Sequence, residues 1–215
     1  MFHPTVIVIS HGEDADGITC AALIKRMKQA RPVLVNYDEL KDALRNIQPP
    51  LDELYFCDLN VREDLLEEFL RIASFSRVTI VDHHPTAPGI LEQIENAGAE
   101  VIHDTRDCAS VLLYNRYRDE LGRKAGRMAA FAAWADQFDD GPIAKTLLLD
   151  YDRQSVQHEG LLLAHALPQR ATKEFRAKVL DAISRLEPPH RTQGVPEAAI
   201  EHLEKVATLI NTLTG

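Results

Sequence analysis

Cysteine is scarce in this chain. Cys20, Cys57 and Cys108 stand in apolar or small-residue contexts, and they are the only three cysteines among 215 residues. None belongs to a C-x-x-C pair, so the sequence has neither the spacing of a zinc site nor that of a dithiol redox motif. We interpret all three as reduced packing residues, and we expect a cytoplasmic location.

Long hydrophobic runs are absent as well. No apolar segment approaches the roughly 20 residues that a membrane-spanning helix needs, so we expect no membrane contact. The first residues lead almost directly into a β-rich run, without a basic n-region or a small-residue cleavage site. This pattern argues against a secretory signal peptide.

Positive charge is in deficit. The chain has 24 Lys and Arg residues against 33 Asp and Glu residues, a formal net charge of −9. A broad surface for duplex nucleic acid would need basic stripes, so that class is disfavoured. A small phosphate-bearing or single-stranded substrate is not excluded, because a carboxylate-rich metal site is acidic until cations bind and reverse the local field.

Short β-rich runs alternate with helical stretches up to about residue 105. The predicted strands are residues 5–10, 32–36, 53–57, 77–81 and 100–102. The predicted helices between and after them are residues 17–30, 39–47, 62–73 and 87–97. Strand–helix alternation implies right-handed crossovers, so we predict an α/β fold with a mostly parallel five-stranded sheet flanked by helices.

The pattern becomes helical after Asp107. Predicted helices cover residues 109–121, 123–137, 161–166, 173–186 and 197–213, and residues 188–196 have the composition of a hinge or linker. We therefore divide the chain into a domain at residues 1–150 and a helical extension or linker at residues 151–215. The length is sufficient for a sizeable core.

Residues that bind metals follow three of the apolar runs. Asp82-His83-His84 comes after the run at 78–81, Asp58 after the run at 54–57, and the segment 11–17, which contains His11, Asp14 and Asp16, after the run at 6–9. The carboxyl ends of parallel strands lie at one edge of a sheet, where ligands bind. We therefore expect these side chains to meet at one point.

Each of these segments also has a structural explanation when it is taken alone. Acids such as Asp14 and Asp16 favour a helix N-terminus, and Asp58 is a good helix cap. Asp82-His83-His84 could simply open a polar loop. Asp136 closes an apolar helix, where an acid is unfavourable for the helix dipole, so either exposure or a functional role accounts for it.

The four segments in this order resemble the DHH phosphoesterase superfamily, which is named for the triplet present here as Asp82-His83-His84. The resemblance covers roughly residues 5–140 and is closest to RecJ-like and nanoRNase-like DHH domains. It also extends to relatives that act on phosphoadenosine phosphate, cyclic dinucleotides, polyphosphate and pyrophosphate. The motifs are specific for the superfamily and do not select a substrate.

The resemblance implies a site with two Mn²⁺ ions, for which Mg²⁺ or Co²⁺ could substitute. The residues that would hold the first ion are His11, Asp14 and Asp58. Those that would hold the second are Asp16, Asp58, His83 and Asp136, with Asp58 as the bridge. His84 would contact the scissile phosphate, and Asp82 would support the site from behind; with Asp58 they are the predicted catalytic residues.

The segment 104–110 resembles the family's stretch before the helix that follows the DHH strand. Ser110 would lie near the site as a substrate-binding residue. Arg106 would contact phosphate, or it is a solvated loop arginine. His103 is either a residue at the rim of the site or an ordinary surface residue.

The C-terminal part lacks a familiar element of this superfamily. Relatives carry a smaller second domain with a Gly-rich loop near a His, whereas Gly194 and Gly215 are the only glycines after Gly160 here. We expect a shortened chain or a short member without that domain. Leu203, Val206, Ala207, Ile210 and Leu213 follow helical spacing, so they form an internal packing face or the face of a homodimer.

The resulting prediction is a metal-dependent hydrolase of phosphodiester or phosphomonoester bonds in nucleotides or short oligonucleotides. The Asp-Gly ending of the segment 11–17 favours the nuclease-like branch. An inorganic pyrophosphatase or exopolyphosphatase is the alternative enzyme, and it would need a basic cluster that the sequence does not clearly supply. A non-catalytic DHH scaffold and a nucleotide-binding regulatory module are the alternatives outside enzymology.

Overall fold

A five-stranded parallel sheet lies at the centre of the protein. The computed structural model describes residues 5–87 and 89–214. Residues 1 and 215, which are the outer limits of the two predicted domains, lie outside the described residues. So does residue 88, which belongs to the predicted helix at 87–97. The strands are β1 (Val6–His11), β2 (Arg31–Val35), β3 (Glu53–Cys57), β4 (Arg77–Asp82) and β5 (Glu100–His103). Their order in the sheet is β2-β1-β3-β4-β5, and every pairing is parallel.

Ten α-helices surround the sheet within the described residues. They are α1 (Ala15–Lys28), α2 (Leu40–Arg45), α3 (Leu66–Ala73), α4 (Ile90–Asn96), α5 (Ala109–Leu121), α6 (Arg123–Ala135), α7 (Pro142–Leu148), α8 (Arg153–Gln169), α9 (Lys173–Ser184) and α10 (Val195–Thr214). The predicted α/β class, with a parallel sheet and a helical C-terminal part, is confirmed.

Both faces of the sheet are covered, because alternate residues of each strand point to opposite sides. Val8 and Tyr55 contribute to a core that continues into α1, α5, α6, α8, α9 and the start of α10. Ile9 and Phe56 contribute to a second core that includes side chains of α2, α3 and α4. Burial on both faces explains why the strands are apolar runs without polar alternation.

The helical half differs from its prediction at α7 and at both ends of α8. The predicted helix at 161–166 is the middle of α8, which begins earlier because the Asp152 side chain accepts a hydrogen bond of 2.8 Å from Ser155 N. Its first residues are polar and show no apolar periodicity. α8 also continues past the expected break, with Pro168 inside its last turn, and α7 was not predicted.

The segment 188–196 was interpreted as a hinge or linker, but it is packed. Pro189, Thr192 and Val195 are buried, and His190 N donates a hydrogen bond of 2.9 Å to the buried carboxylate of Glu159 in α8. The core on this face of the sheet is continuous from β1 to α10. The division of the chain at residue 150 stays a prediction.

The apolar stripe of α10 is exposed. Leu203, Val206 and Leu213 are among its exposed large side chains, so they form no internal packing face within the described part of the chain. The single chain gives no support to the predicted homodimer. Among the described residues, no helix has both the length and the apolar character to cross a membrane.

Candidate metal centre

The carboxyl ends of three neighbouring strands place the predicted site residues at one edge of the sheet. Ser10 of β1 is paired with Cys57 of β3, and Cys57 with Val81 of β4, so the three strands end in the same row. The residues that follow this row include His11, Asp58 and Asp82. Consequently the three segments that the sequence singled out converge.

The turn between β1 and α1 carries the first pair of ligand candidates. Asp14 caps α1, because its Oδ1 accepts a hydrogen bond of 2.9 Å from Gly17 N, and its Oδ2 accepts one from His11 Nδ1. Gly17 is required for close packing: a Cβ there would lie 2.3 Å from the His11 carbonyl oxygen and 2.9 Å from Asp58 Oδ2. The turn therefore brings the backbone against the carboxylate that follows β3.

Asp58 occupies the centre of the cluster. Its side chain is only 2% exposed, with Oδ1 3.2 Å from His83 Nε2 and Oδ2 3.8 Å from His11 Nδ1. Its backbone is in the left-handed region, with φ of 55°, a conformation that is strained for a residue with a side chain and that is found at functional sites. This backbone geometry places one carboxylate between the two imidazoles.

Adjacent histidines leave β4 with different surroundings. His83 lies toward Asp58 and packs edge-on against the Phe138 ring at 4.6 Å between centroids. His84 Nδ1 donates a hydrogen bond of 2.8 Å to Oδ1 of the fully buried Asp82. Since an ionised carboxylate only accepts, this contact fixes the His84 tautomer and leaves Nε2 facing the site.

Asp136 comes from the helical half of the chain. It ends α6, and its Oδ2 lies 3.9 Å from His83 Nε2. Ligand atoms of Asp16, His83 and Asp136 all lie within 4.8 Å of one another. The acid at the C-terminal end of an apolar helix, which is unfavourable for that helix alone, is thus explained by its position beside this cluster.

Ligand atoms form three such groups in the described part of the chain. The groups are Asp16, His83 and Asp136; His11, Asp14 and Asp58; and Asp58, His83 and His84. All six predicted metal-binding residues are therefore brought together, and Asp58 belongs to two groups. The assignment of each residue to a particular ion stays a prediction.

Burial and the crowding of carboxylates raise the pKa of two of them. Burial, and then the charges of Asp16 and Asp14, raise the pKa of Asp58 well above its usual range. Burial and the same two charges raise the pKa of Asp136 to about 8. The Asp136 carboxyl group would therefore be mostly protonated at neutral pH in the absence of a cation, and the pKa of Asp58 is displaced in the same direction.

The pKa values of His83, His84 and Asp14 are displaced in directions that agree with their surroundings. Burial lowers the pKa of His83, whereas the hydrogen bond to Asp82 raises the pKa of His84. Burial opposes ionisation of Asp14, but the hydrogen bond from His11, the charge of His11 and the hydrogen bond from Gly17 N together outweigh it, so the pKa of Asp14 is lowered. His83 is thus neutral, the form that binds metals, while His84 tends toward its charged form.

The donor set fits a divalent transition metal. Among residues 5–87 and 89–214, the structure gives no hydrogen-bond partner for the buried oxygens Asp58 Oδ2 and Asp82 Oδ2. A buried carboxylate oxygen without a partner destabilises the fold. A bound cation would supply a partner for Asp58 Oδ2, because Asp58 belongs to the ligand groups. Mixed imidazole and carboxylate ligands suit a divalent transition metal such as Mn²⁺ better than Mg²⁺, which takes oxygen ligands.

Asp16 also has a structural part. Its two carboxylate oxygens accept hydrogen bonds of 2.7 Å from Ala109 N and 2.9 Å from Ser110 N, at the start of α5. Ser110 itself is fully buried, and its hydroxyl lies 3.5 Å from Cys108 Sγ. Ser110 therefore holds Asp16 through its backbone, and its role toward substrate stays a prediction.

Arg106 and His103 lie on the loop and strand next to the cluster. The exposed Arg106 guanidinium pairs with Asp104 at 2.6 Å, and this hydrogen bond lowers the pKa of Asp104 to about 2. The phosphate contact predicted for Arg106 stays a prediction. His103 Nε2 donates a hydrogen bond of 2.7 Å to the His84 carbonyl oxygen, so it holds the backbone of the triplet.

Two aromatic residues of the site were missed by the sequence analysis. The Tyr37 hydroxyl lies 3.3 Å from His84 Nε2, and its ring is 5.5 Å from the His11 ring between centroids. Phe138 covers His83. Tyr37 follows the end of β2 by two residues, so the rule of converging strand ends could have found it, but Phe138 follows a helix and carries no comparable signal.

Comparisons with known proteins give a result at the level of the fold. No protein-family model matches the sequence, and no match to a curated protein was found. A crystal structure of exonuclease RecJ bound to manganese matches with a TM-score of 0.62 and 13% identity, over 98% of this chain and 64% of that one. A crystal structure of RecJ from Thermus thermophilus in complex with Mn²⁺ matches with a TM-score of 0.53 and 14% identity, over 94% and 35%.

The chain thus has the fold of these two exonucleases. The fold that the resemblance to the DHH superfamily implied is confirmed. The chain spans about two thirds of the length of one RecJ chain and about a third of the other.

Proposed function

We propose that this protein is a Mn²⁺-dependent phosphoesterase that uses two cations to hydrolyse phosphodiester or phosphomonoester bonds in nucleotides or short oligonucleotides. The observation that carries the proposal is the convergence of ligand atoms from four chain segments around the buried Asp58. The manganese-bound RecJ exonucleases with the same fold support both the metal and the class of reaction. The three buried, free cysteines support the cytoplasm as its location.

In this proposal His11, Asp14 and Asp58 hold one cation. The other is held by Asp16, Asp58, His83 and Asp136. Bound there, the cations would withdraw charge from the phosphoryl oxygens and acidify a water molecule near neutral pH. The protein's own contribution is to gather the carboxylates around the neutral imidazole of His83. The positive charge of the cations would favour the ionised form of those carboxylates.

His84 is the proposed catalytic residue for the phosphoryl group. The hydrogen bond from Nδ1 to Asp82 orients the ring and raises the pKa of His84, so the charged form is favoured and Nε2–H can donate. About a third of the His84 side chain is exposed, at 31%, which leaves it accessible to a substrate. A charge-assisted hydrogen bond from Nε2 to a phosphoryl oxygen would strengthen as negative charge develops there.

Neighbouring residues position this donor. Tyr37, whose hydroxyl lies 3.3 Å from His84 Nε2, would orient the ring until a phosphate takes its place. Phe138 shields one side of His83 from water, while Ser110 N–H and Ala109 N–H hold Asp16 in place. Arg106 would reach a second phosphate of a longer substrate only after exchanging Asp104 for it.

The proposal is tested by product formation with Mn²⁺. A 5′-phosphorylated dinucleotide, phosphoadenosine phosphate, pyrophosphate and end-labelled single-stranded DNA are offered in parallel to the unsubstituted protein and to Asp58→Asn. We expect hydrolysis of at least one nucleotide substrate, and a loss of at least about 10³-fold in Asp58→Asn, since two-metal chemistry depends on the shared ligand.

Asp64→Asn is the matched control, because Asp64 is an exposed carboxylate that pairs with Arg62 and belongs to none of the three ligand groups. It should retain full activity. Hydrolysis that survives in Asp58→Asn would refute the proposed site. Hydrolysis of pyrophosphate alone would replace the proposal by the pyrophosphatase alternative.

A further inference from the structure

A groove beside the metal cluster is formed by one face of β2 and one face of α9. Pro32, Leu34 and Asn36 alternate along the strand, so they point to the same side. On α9, the residues that line the groove are spaced as one helical face: Lys173, Arg176, Ala177, Leu180 and Asp181. β2 is the edge strand of the sheet.

The two faces do not close on each other. They leave a cavity of about 460 Å³, which also includes Glu13, Glu39 and Ala171 in its wall. Ligand sites in proteins have volumes of roughly 300 to 1,000 Å³ and combine apolar walls with a few polar groups. The volume and the mixed lining of this cavity correspond to a site for an organic molecule the size of a nucleoside.

Two polar groups of this lining lack partners. Arg176 Nε and Asn36 Oδ1 are buried, and neither has a hydrogen bond within the described part of the chain. The Arg176 side chain is only 12% exposed, and its Nη2 has a single long contact of 3.4 Å to Glu13 Oε1. One of these groups is a donor and the other an acceptor, so a ligand with both an acceptor and a donor suits this lining better than an apolar occupant.

The charges around the cavity disfavour a polyanion. Three carboxylates line it, and each is paired: Glu13 with Arg176 at 3.4 Å, Glu39 with Lys173 at 3.2 Å, and Asp181 with Lys25 at 2.6 Å. The two cations of the lining are thus already occupied by acids. A pyrophosphate or polyphosphate would meet more negative than positive charge here.

Two residues that line the cavity are chain neighbours of residues at the metal cluster. Glu13 immediately precedes the ligand candidate Asp14, and Asn36 immediately precedes Tyr37, whose hydroxyl lies 3.3 Å from His84 Nε2. β1 and β2 bring these two segments side by side, since His11 is paired with Val35. At both segments, a residue that lines the cavity is thus the immediate chain neighbour of a residue at the metal cluster.

We propose that the cavity between β2 and α9 binds the nucleobase and sugar of the substrate whose phosphate lies at the metal cluster. Pro32 and Leu34 on one side and Leu180 on the other supply apolar walls for a flat ring. Arg176 and Asn36 supply one donor and one acceptor for the ring edge, where nucleobases carry both. This inference rests on the proposed function and narrows it to nucleotides, against inorganic pyrophosphate and polyphosphate.

Ala177→Trp is the variant that tests the cavity. Ala177 is exposed on α9 and lines the groove, so an indole there fills the cavity without entering the core. Lys178→Trp is the matched control, because it adds the same ring at the next exposed position of α9, outside the lining. Neither residue belongs to the metal cluster.

With Mn²⁺, steady-state kinetics are measured on a 5′-phosphorylated dinucleotide and on its abasic analogue. We expect Ala177→Trp to raise the KM for the dinucleotide at least about tenfold with kcat within about twofold, and to leave the abasic substrate unchanged. Lys178→Trp should match the unsubstituted protein on both. Equal KM values for the dinucleotide in the two variants would overturn the inference while leaving the hydrolysis itself intact.

A binding measurement tests the cavity independently of the proposed hydrolysis. Adenosine is titrated calorimetrically into the metal-free protein, because a nucleoside has no phosphate and does not need the metal cluster. Binding that is weakened at least about tenfold in Ala177→Trp supports the cavity even if no substrate is hydrolysed. Binding that is unchanged in that variant, or absent from the unsubstituted protein, refutes it.

Discussion

The substitution Asp136→Asn should stabilise the protein when no metal is bound. Burial and the charges of Asp16 and Asp14 raise the pKa of Asp136 from 3.8 to about 8. An ionised carboxylate at this place is therefore unfavourable in the folded chain and favourable in the unfolded one. Asparagine keeps the shape of the side chain and removes the charge.

The sign and size of the effect follow from that shift. A carboxyl group whose pKa is higher in the folded state contributes stability below about pH 4, and this stability is lost as the pH rises to about 8. A shift of about four units corresponds to at most about 5 to 6 kcal/mol, at about 1.4 kcal/mol per unit. Because 24% of the side chain is exposed, solvent screening reduces this, and we expect about 1 to 3 kcal/mol above pH 8.

The measurement is urea unfolding of both proteins in EDTA at pH 4.5 and pH 8.5, repeated with Mn²⁺. In EDTA we expect Asp136→Asn to be more stable at pH 8.5 and nearly equal to the unsubstituted protein at pH 4.5. With Mn²⁺ the order should reverse, because the cation stabilises the chain that binds it more tightly. Asp119→Asn, an exposed carboxylate on α5, should show neither effect. A variant that is less stable in EDTA at pH 8.5 would refute the reasoning.

Three further predictions concern the same cluster. Mn²⁺ affinity, measured by calorimetry, should rise by about tenfold per pH unit between pH 6 and 8, since the cation displaces the Asp136 proton; an affinity that does not change with pH would contradict this. His84→Gln should lower kcat by about 10² to 10³ while Mn²⁺ binding is kept, and a loss of Mn²⁺ instead would make His84 a ligand. Gly17→Ala should cost about 1 to 3 kcal/mol in urea unfolding, because its Cβ would lie 2.3 Å from the His11 carbonyl oxygen; unchanged stability would show that the turn can move.

The sheet and the residues at its edge could be predicted because local patterns determine them. Short apolar runs predict the strands, and the carboxyl ends of parallel strands lie at one edge of the sheet. Asp58 directly follows β3, and Asp82 is the last residue of β4. Asp136 could be singled out for a different reason, the conflict of an acid with the C-terminal end of an apolar helix.

Long-range packing could not be predicted from the same patterns. The groove brings Asn36 next to Arg176, which is 140 residues away in sequence, and neither residue carries a motif. α8 begins at a polar turn that only its Asp152 cap reveals. The hinge expected from the prolines near residue 190 is packed, because Glu159 of α8 lies where it can accept from His190.

The cluster's carboxylates differ in what they do for the chain without a metal. Asp14 caps α1, and Asp16 holds the first backbone N–H groups of α5. The Asp136 side chain holds no helix end in this way, and its charge disfavours folding. A descendant of this protein that had abandoned hydrolysis would still need Asp14 and Asp16 to fold, whereas it would gain by replacing Asp136. In a newly determined sequence of this fold, an aspartate at the end of α6 is therefore the better evidence of a working enzyme.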